Sequence, residues 1–322
     1  MSSSRLSTAL NDGLFALPEG AIALMRPPAT YDVGALPRGD VSVVHGFYPD
    51  ATGWKNAGYP LSQVLSPVQT AVVVVPRAKA LARAMVAEAC AKASFVIVDG
   101  QKTDGADSLF KECRKRLGDL PSLTKAHGRL FWFPATDVFA DWSAPEPAVG
   151  ASGFVTAAGV FSDGEIDKGS ALLTAALPPK LPARMADLGA GWGYLSHHVL
   201  QRDSVKSIDL VEAEALSLEC ARKNVDDPRA MFHWDDATTL TAAPYDGIVM
   251  NPPFHTGRDA DPSLGRSFIK AAARLLTPGG KLWMVANRHL PYEMTLNECF
   301  RTVDTIAGNS AFKVFYAHKP KR

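Results

Sequence analysis

Two stretches of the chain alternate short β-branched runs with segments of helical apolar spacing. In the first, the runs at 41–45, 71–75, 95–98 and 130–133 read as strands, and 79–91 and 108–117 read as helices. Strand and helix in alternation imply an α/β domain. The periodicity breaks at 141–152 (DWSAPEPAVGAS), where prolines without apolar spacing read as a linker. It resumes with MADLGAG at 185–191, a helix from Tyr194, SIDLVE at 207–212, a helix over 215–225, AMFHWDD at 230–236 and DGIVMNPP at 246–253. A helix over 267–276, KLWMVAN at 281–287 and a last strand near 313–318 complete the pattern. The expected architecture is α/β, with two tandem Rossmann-like domains covering residues 1–145 and 146–322.

Composition narrows the class without naming an activity. At 322 residues, 47% hydrophobic and 21% charged, the chain has the makeup of a core-forming globular protein. Its apolar runs fall far short of the ~20 residues needed to span a bilayer. No basic segment followed by an apolar run opens it, so a cytoplasmic location is the expectation. Cys90, Cys113, Cys220 and Cys299 lie far apart, without metal or redox spacing, and read as reduced thiols. A net charge of +1, close to balanced in each half, gives no global basic field, so any RNA surface must be a local patch.

Four motifs carry chemistry. Asp187-Leu188-Gly189-Ala190-Gly191-Trp192-Gly193 follows a strand and precedes a helix, where glycines let a nucleotide-like ligand approach the backbone and the helix start adds partial positive charge. The third glycine comes one position early for a dinucleotide fingerprint, which disfavours a nicotinamide enzyme. Glu212 ends the next strand, where a carboxylate can accept from both hydroxyls of a ribose. Asp236, after Asp235 at the end of AMFHW, can accept from an adenine amine, or the pair can simply cap a turn.

The fourth motif is Asn251-Pro252-Pro253-Phe254-His255, at the end of the strand from Asp246. Two prolines end the ladder and stiffen the loop that carries the Asn. In methyl transfer to a conjugated amine, the nitrogen lone pair must be drawn out of the ring system and turned toward the electrophile. The Asn251 side-chain oxygen and the Pro252 carbonyl can each accept one amine hydrogen while Phe254 stacks on the base.

With these residues in view, the chain from about Gly159 onward resembles class I S-adenosylmethionine-dependent methyltransferases, and among them the bacterial ribosomal RNA guanine-N2 methyltransferases of the small- and large-subunit types. GVFSDGEIDKGSALL (159–173), DLGAGWGYLS (187–196), NPPFH (251–255) and GNSAFKVFYAHK (308–319) carry the likeness. The second domain is then expected to be a seven-stranded methyltransferase sheet. The first, through VDGQKTDGADSLFKECRKRLG (98–118) and HGRLFWFP (127–134), resembles the degenerate methyltransferase-like domain of those enzymes. Family members often carry Cys or Gly where Ala190 stands and Asp where Glu212 stands; both differences keep the chemistry.

The resemblance implies S-adenosylmethionine as cofactor, held by Asp187, Gly189, Gly191, Gly193, Glu212, Asp236 and Asn251, with Phe161 and Asp167 from the loop before the glycines. Asp167 and Ser170 can equally cap the helix that follows. Asn251, Pro252 and Phe254 are the expected catalytic set, and His255 joins Phe254 toward the substrate as a base or phosphate contact. The implied partner is ribosomal RNA or a ribosomal subunit, with no metal, no membrane and a single chain as the working unit. Adenine-N6 or glutamine-N5 methylation, and an inactive RNA-binding or assembly factor, are the alternatives. In the first half, Lys111, Arg114, Lys115 and Arg116 lie close together on one helix and join Lys125 and Arg129 as the densest basic cluster, with Arg114 and Lys115 the leading RNA contacts.

Overall fold

The computed structural model describes residues 4–157, 159–160, 165–253 and 262–321. The fold divides into two units, Met1–Glu146 and Pro147–Arg322. The first runs α1 (Arg5–Asn11), β1 (Ile22–Met25), β2 (Val41–Val44), α2 (Tyr48–Asn56), β3 (Leu61–Ser62), β4 (Val68–Val74), α3 (Lys79–Lys92), β5 (Ala93–Gln101), α4 (Ala106–Leu117), β6 (Ser122–Lys125) and β7 (Gly128–Pro134). The second opens with a hairpin, β8 (Ala148–Val149) and β9 (Val155–Thr156). It continues through α5 (Lys168–Ala176), β10 (Arg184–Leu188), α6 (Tyr194–Val199), β11 (Ser207–Glu212), α7 (Ala215–Asn224), β12 (Ala230–Trp234) and β13 (Tyr245–Met250). It ends with α8 (Pro262–Leu275), β14 (Leu276–Asn287), α9 (Glu293–Cys299), β15 (Phe300–Gly308) and β16 (Phe312–Pro320).

Each unit holds a seven-stranded sheet, ordered β3-β2-β1-β4-β5-β7-β6 in the first and β12-β11-β10-β13-β14-β16-β15 in the second. Five strands of each are parallel, and the last two join antiparallel. The two orders are the same, so both units share one Rossmann-like arrangement of strands. Helices cover both faces, which is why β4 and β13 read as almost unbroken apolar runs. Strand order reverses between β10 and its neighbours β11 and β13, and ligands in such sheets bind beyond the strand C-termini at that point.

The first unit differs from the second at the equivalent turn. Arg26 N–H donates to Val44 O at 2.9 Å, the same link that Gly189 N–H makes to Val211 O in the second unit. Arg26-Pro27-Pro28 follows β1 where glycines follow β10, and Trp54 on α2 donates its indole N–H to Pro27 O at 2.9 Å. The loop is thus covered by a side chain of its own unit. At the same strand C-terminal end the Arg5 guanidinium pairs with buried Asp99 at 2.5 Å, and Tyr31 O–H, from the loop that follows Pro28, donates to the same carboxylate, tying α1 to the sheet.

Three details differ from the sequence expectation. Residues 141–142 belong to a 3-10 turn (Asp137–Trp142) packed on the first core, and 148–149 are strand, so the irregular link is shorter than the proline-rich stretch suggests. β10 runs through Asp187 and Leu188, which the sequence places after the strand, and ends there because Gly189 has φ +73° and leaves extended geometry. β15 lies outside the expected pattern: it is an edge strand with Arg301, Asp304 and Thr305 exposed, without the apolar alternation that announces buried strands. Among the described residues no helix is long and apolar enough to cross a membrane.

Candidate active site

Side-chain alternation along the second sheet assembles the site. Met185 on β10, Ile208 and Leu210 on β11, and Val249 on β13 share one core cluster with Leu173 and Leu177, on and just after α5. Because successive residues of a strand point to opposite faces, Asp187, Glu212 and Asn251 continue that same face at the strand C-termini. Three polar groups thus arrive on one side of the sheet, beneath α5 and α6.

The glycine loop is built for a close ligand. Gly191 has φ +56°, and a Cβ there would meet no atom within 4 Å, so its backbone borders open space. Gly193 has φ +90° and begins α6, where a Cβ would stand 2.9 Å from Val225 Cγ2. Asn224, at the end of α7, clamps the loop from behind. Its amide N–H groups donate to Trp192 O and Val155 O at 2.8 Å each, and its Oδ1 accepts from Val155 N–H at 2.7 Å. No short sequence pattern flags this Asn, because its partners come from a hairpin and a turn far away in the chain.

Asp187 is fully buried and accepts from Ser196 O–H at 2.7 Å through Oδ2, while Oδ1 takes no hydrogen bond among the described residues. Burial pushes its carboxyl up to about 7, with the Ser196 bond opposing and nearby Glu212 adding to the rise. Glu212 receives Gly191 N–H on Oε2 and Glu214 N–H on Oε1, both at 2.8 Å. Loss of solvent raises its carboxyl above the usual range, against the pull of those two amides. Each oxygen keeps a further lone pair for a hydroxyl. Asp236 behaves as a turn residue with Oδ1, which accepts from the Thr238 N–H at 2.8 Å and the Thr238 O–H at 2.7 Å.

Asn251 follows β13 beside the glycine loop; Pro253 Cδ lies 4.0 Å from where a Gly189 Cβ would stand. Its Nδ2 donates to Asp167 Oδ2 and to Ser170 Oγ, each at 2.9 Å. Asp167 caps α5, accepting Ser170 N–H at 2.7 Å on the same oxygen, so capping and contact with Asn251 coexist. Pro252 is buried. Phe161, Phe254 and His255 lie outside the described residues.

The basic cluster of the first unit is smaller than adjacency in sequence suggests. Arg116 is bound to Asp141 and lies over the Trp142 ring at 4.7 Å. Arg129 pairs with Asp107 at 2.7 Å and covers Phe110, and Lys125 donates to Thr8 Oγ1 at 2.7 Å. Lys111, Arg114 and Lys115 face solvent. Among the described residues no three His, Cys, Asp or Glu side chains converge as metal ligands, and all four cysteines are free thiols.

The open glycine backbone, the orphaned Asp187 oxygen and the strand-end Glu212 fit a nucleoside carrying a charged amino-acid tail, and the cofactor is S-adenosylmethionine. Residues 151–316 match the methyltransferase small domain model. A ribosomal RNA small subunit methyltransferase C from Shewanella pealeana is 31% identical over 260 residues, covering 76% of each chain. Its counterpart from Hahella chejuensis is 30% identical over 259 residues, covering 76% of this chain and 75% of that one. The solved T. thermophilus 16S rRNA N2 methyltransferase RsmC, in complex with AdoMet and guanosine, has a TM-score of 0.77 and 25% identity, over 95% of this chain and 90% of its own. The chain belongs to the methyltransferase small-domain family and, within it, to the ribosomal RNA small subunit methyltransferase C enzymes.

Proposed function

We propose that this protein transfers the methyl group of S-adenosylmethionine to the exocyclic N2 amine of a guanine in small-subunit ribosomal RNA. The observation that carries the reading is the orientation of the Asn251 amide: its nitrogen is engaged by Asp167 and Ser170, which leaves its oxygen as the end to serve as an acceptor. An acceptor at that place suits a donor substrate, an amine with two hydrogens.

When bound, the cofactor supplies an electrophilic methyl carbon. Glu212 would hold the ribose hydroxyls and Asp236 the adenine amine, with the backbone of Gly189, Gly191 and Gly193 beside the nucleoside. Asp187 would serve the polar end of the cofactor. Asn251 Oδ1 and the Pro252 carbonyl each accept one amine hydrogen, so the lone pair is directed at the methyl carbon rather than delocalised into the guanine. Phe254 stacks on the base, and His255 contacts it or its phosphate. The gain is mostly positioning; near-attack placement is worth on the order of 7–11 kcal/mol in favourable cases. The amine loses its proton after the bond forms, so no strong base is required. The target guanine must be single-stranded or turned out of its stack to reach these groups.

The first unit keeps the sheet, but its turn after β1 is Arg-Pro-Pro under Trp54, and we assign it RNA binding and orientation through exposed Arg114 and Lys115. Contacts of this kind position RNA without reading its sequence. A ribosomal substrate in turn suits a cytoplasmic enzyme acting as a single chain. The test is to digest ribosomal RNA from cells lacking this protein and measure methylated nucleosides by mass spectrometry. Loss of one N2-methylguanosine from small-subunit RNA, restored by the purified protein, is the expected result; loss of a methylated adenosine instead sinks the assignment.

A further inference from the structure

We infer that Asp167 and Ser170 are positioning residues for methyl transfer, fixing which end of the Asn251 amide meets the substrate. The inference rests on the reading of Asn251 as the acceptor for the target amine. A carboxamide has a donor end and an acceptor end of nearly equal shape, and rotation by a half-turn exchanges them. An Asn free to rotate would present its NH2 group to an incoming amine in one of its two orientations, donor against donor. Here both Nδ2 hydrogens have acceptors at 2.9 Å, Asp167 Oδ2 and Ser170 Oγ. Reversing the amide would aim its oxygen at the Asp167 carboxylate, so the reversed state is repelled as well as unsatisfied.

The arrangement is preorganised. Asp167 is the N-cap of α5, held by the Ser170 N–H at 2.7 Å, and Ser170 is only 6% exposed. The two residues sit 84 and 81 positions before Asn251 and reach it because α5 packs on the face of the sheet that Asn251 continues. The same geometry explains why position 251 is Asn and not Asp: a carboxylate there would stand against the carboxylate of Asp167.

A reciprocal exchange tests this. Asn251→Asp alone should lower kcat by about a hundredfold or more, as two carboxylates face each other. Asp167→Asn alone should lower it a few-fold, because an amide oxygen still caps α5 and accepts from Asn251. In the double variant the new Asn can donate to the new Asp, leaving one carboxylate oxygen for the substrate, so kcat should recover by roughly tenfold or more over Asn251→Asp, a coupling between touching residues. With kcat read at saturating S-adenosylmethionine, a change in cofactor affinity does not enter the comparison, and thermal unfolding should show each variant folded. A folded double variant no faster than Asn251→Asp overturns the inference. If the double variant does not fold, Ser170→Ala carries the test: kcat should fall with KM for RNA unchanged and return with Ser170→Thr, and a wild-type kcat in Ser170→Ala overturns it. Asn251→Ala separates the two levels of the argument. Full activity there removes the acceptor reading and this inference with it, whereas an inactive Asn251→Ala beside an uncoupled pair removes the inference alone.

Discussion

The Gly191 amide donates to Glu212 Oε2 at 2.8 Å, joining the glycine loop to the end of the neighbouring strand across 21 residues. One carboxylate therefore shapes the loop and, on the proposed function, holds the ribose. Glu212→Ala should weaken S-adenosylmethionine binding by about 1–3 kcal/mol, the range for hydrogen bonds to a charged group. Glu212→Gln should lose nearly as much. Gly191 N–H and Glu214 N–H occupy the two oxygens, and an NH2 group in either place would set donor against donor. Calorimetric titration decides; affinity unchanged in Glu212→Ala removes this residue from the site.

Asp187 should make the stability of the protein depend on pH. Its folded carboxyl is pushed up to about 7 by burial, while in the unfolded chain it titrates near the ordinary aspartate value. Folding therefore binds a proton between roughly pH 4 and 7, and the stability contributed by the protonated form is complete below that window and lost as pH rises through it. Asp187→Asn imitates the protonated state. The variant should unfold at the same temperature as the parent near pH 4 and at a higher temperature at pH 8, with a difference on the order of a few kcal/mol. Parallel melting curves across that range would contradict the assignment of a costly buried charge.

Asn251→Ala should lower methyl transfer by about a hundredfold to a thousandfold, the usual effect of removing one oriented hydrogen-bonding group from a reacting centre. Cofactor affinity should fall far less, because the main task assigned to Asn251 is to hold the amine rather than the cofactor. Asp167 keeps its bond to Ser170 N–H, so α5 remains capped. Calorimetry alongside methyl incorporation separates the two effects. A large fall in cofactor binding would transfer Asn251 to the cofactor's side of the site.

How much of the fold and the site is legible in the sequence depends on how far each feature reaches along the chain. The strands with β-branched runs, the glycine turn and the Asn-Pro-Pro stretch are local signals, and period-two alternation from Met185, Leu210 and Val249 already carries Asp187, Glu212 and Asn251 to one face. Partner choice is not local. Which end of the Asn251 amide is engaged depends on two side chains more than 80 residues earlier, and the clamp of Asn224 on the loop depends on a two-residue strand at Val155–Thr156. Arg116 and Arg129 look like part of a basic cluster in sequence, yet Asp141 and Asp107 take them up. α1, α2 and α9 are short, and β15 lies at an edge, so none builds a long apolar stripe.

That difference in partners gives the basic patch a selective test. Arg114 and Lys115 are exposed near the C-terminal end of α4, where cations also suit the helix dipole, and reversing both to Glu should leave the fold largely intact. If they touch phosphates, RNA affinity should fall, and the slope of log affinity against log salt should shrink by roughly 0.7 for each single-strand phosphate that the variant no longer neutralises. Cofactor affinity should not move, since the residues assigned to the cofactor all belong to the other unit. Arg116→Glu should behave differently. It breaks the interactions with Asp141 and Trp142 that hold the turn Asp137–Trp142 to α4, so its first effect should be a lower melting temperature. Filter binding or fluorescence titration of a small-subunit RNA fragment at several salt concentrations, with melting curves for each variant, reads both arms. RNA affinity and salt slope unchanged by reversal at 114 and 115 would leave the first unit without its assigned role.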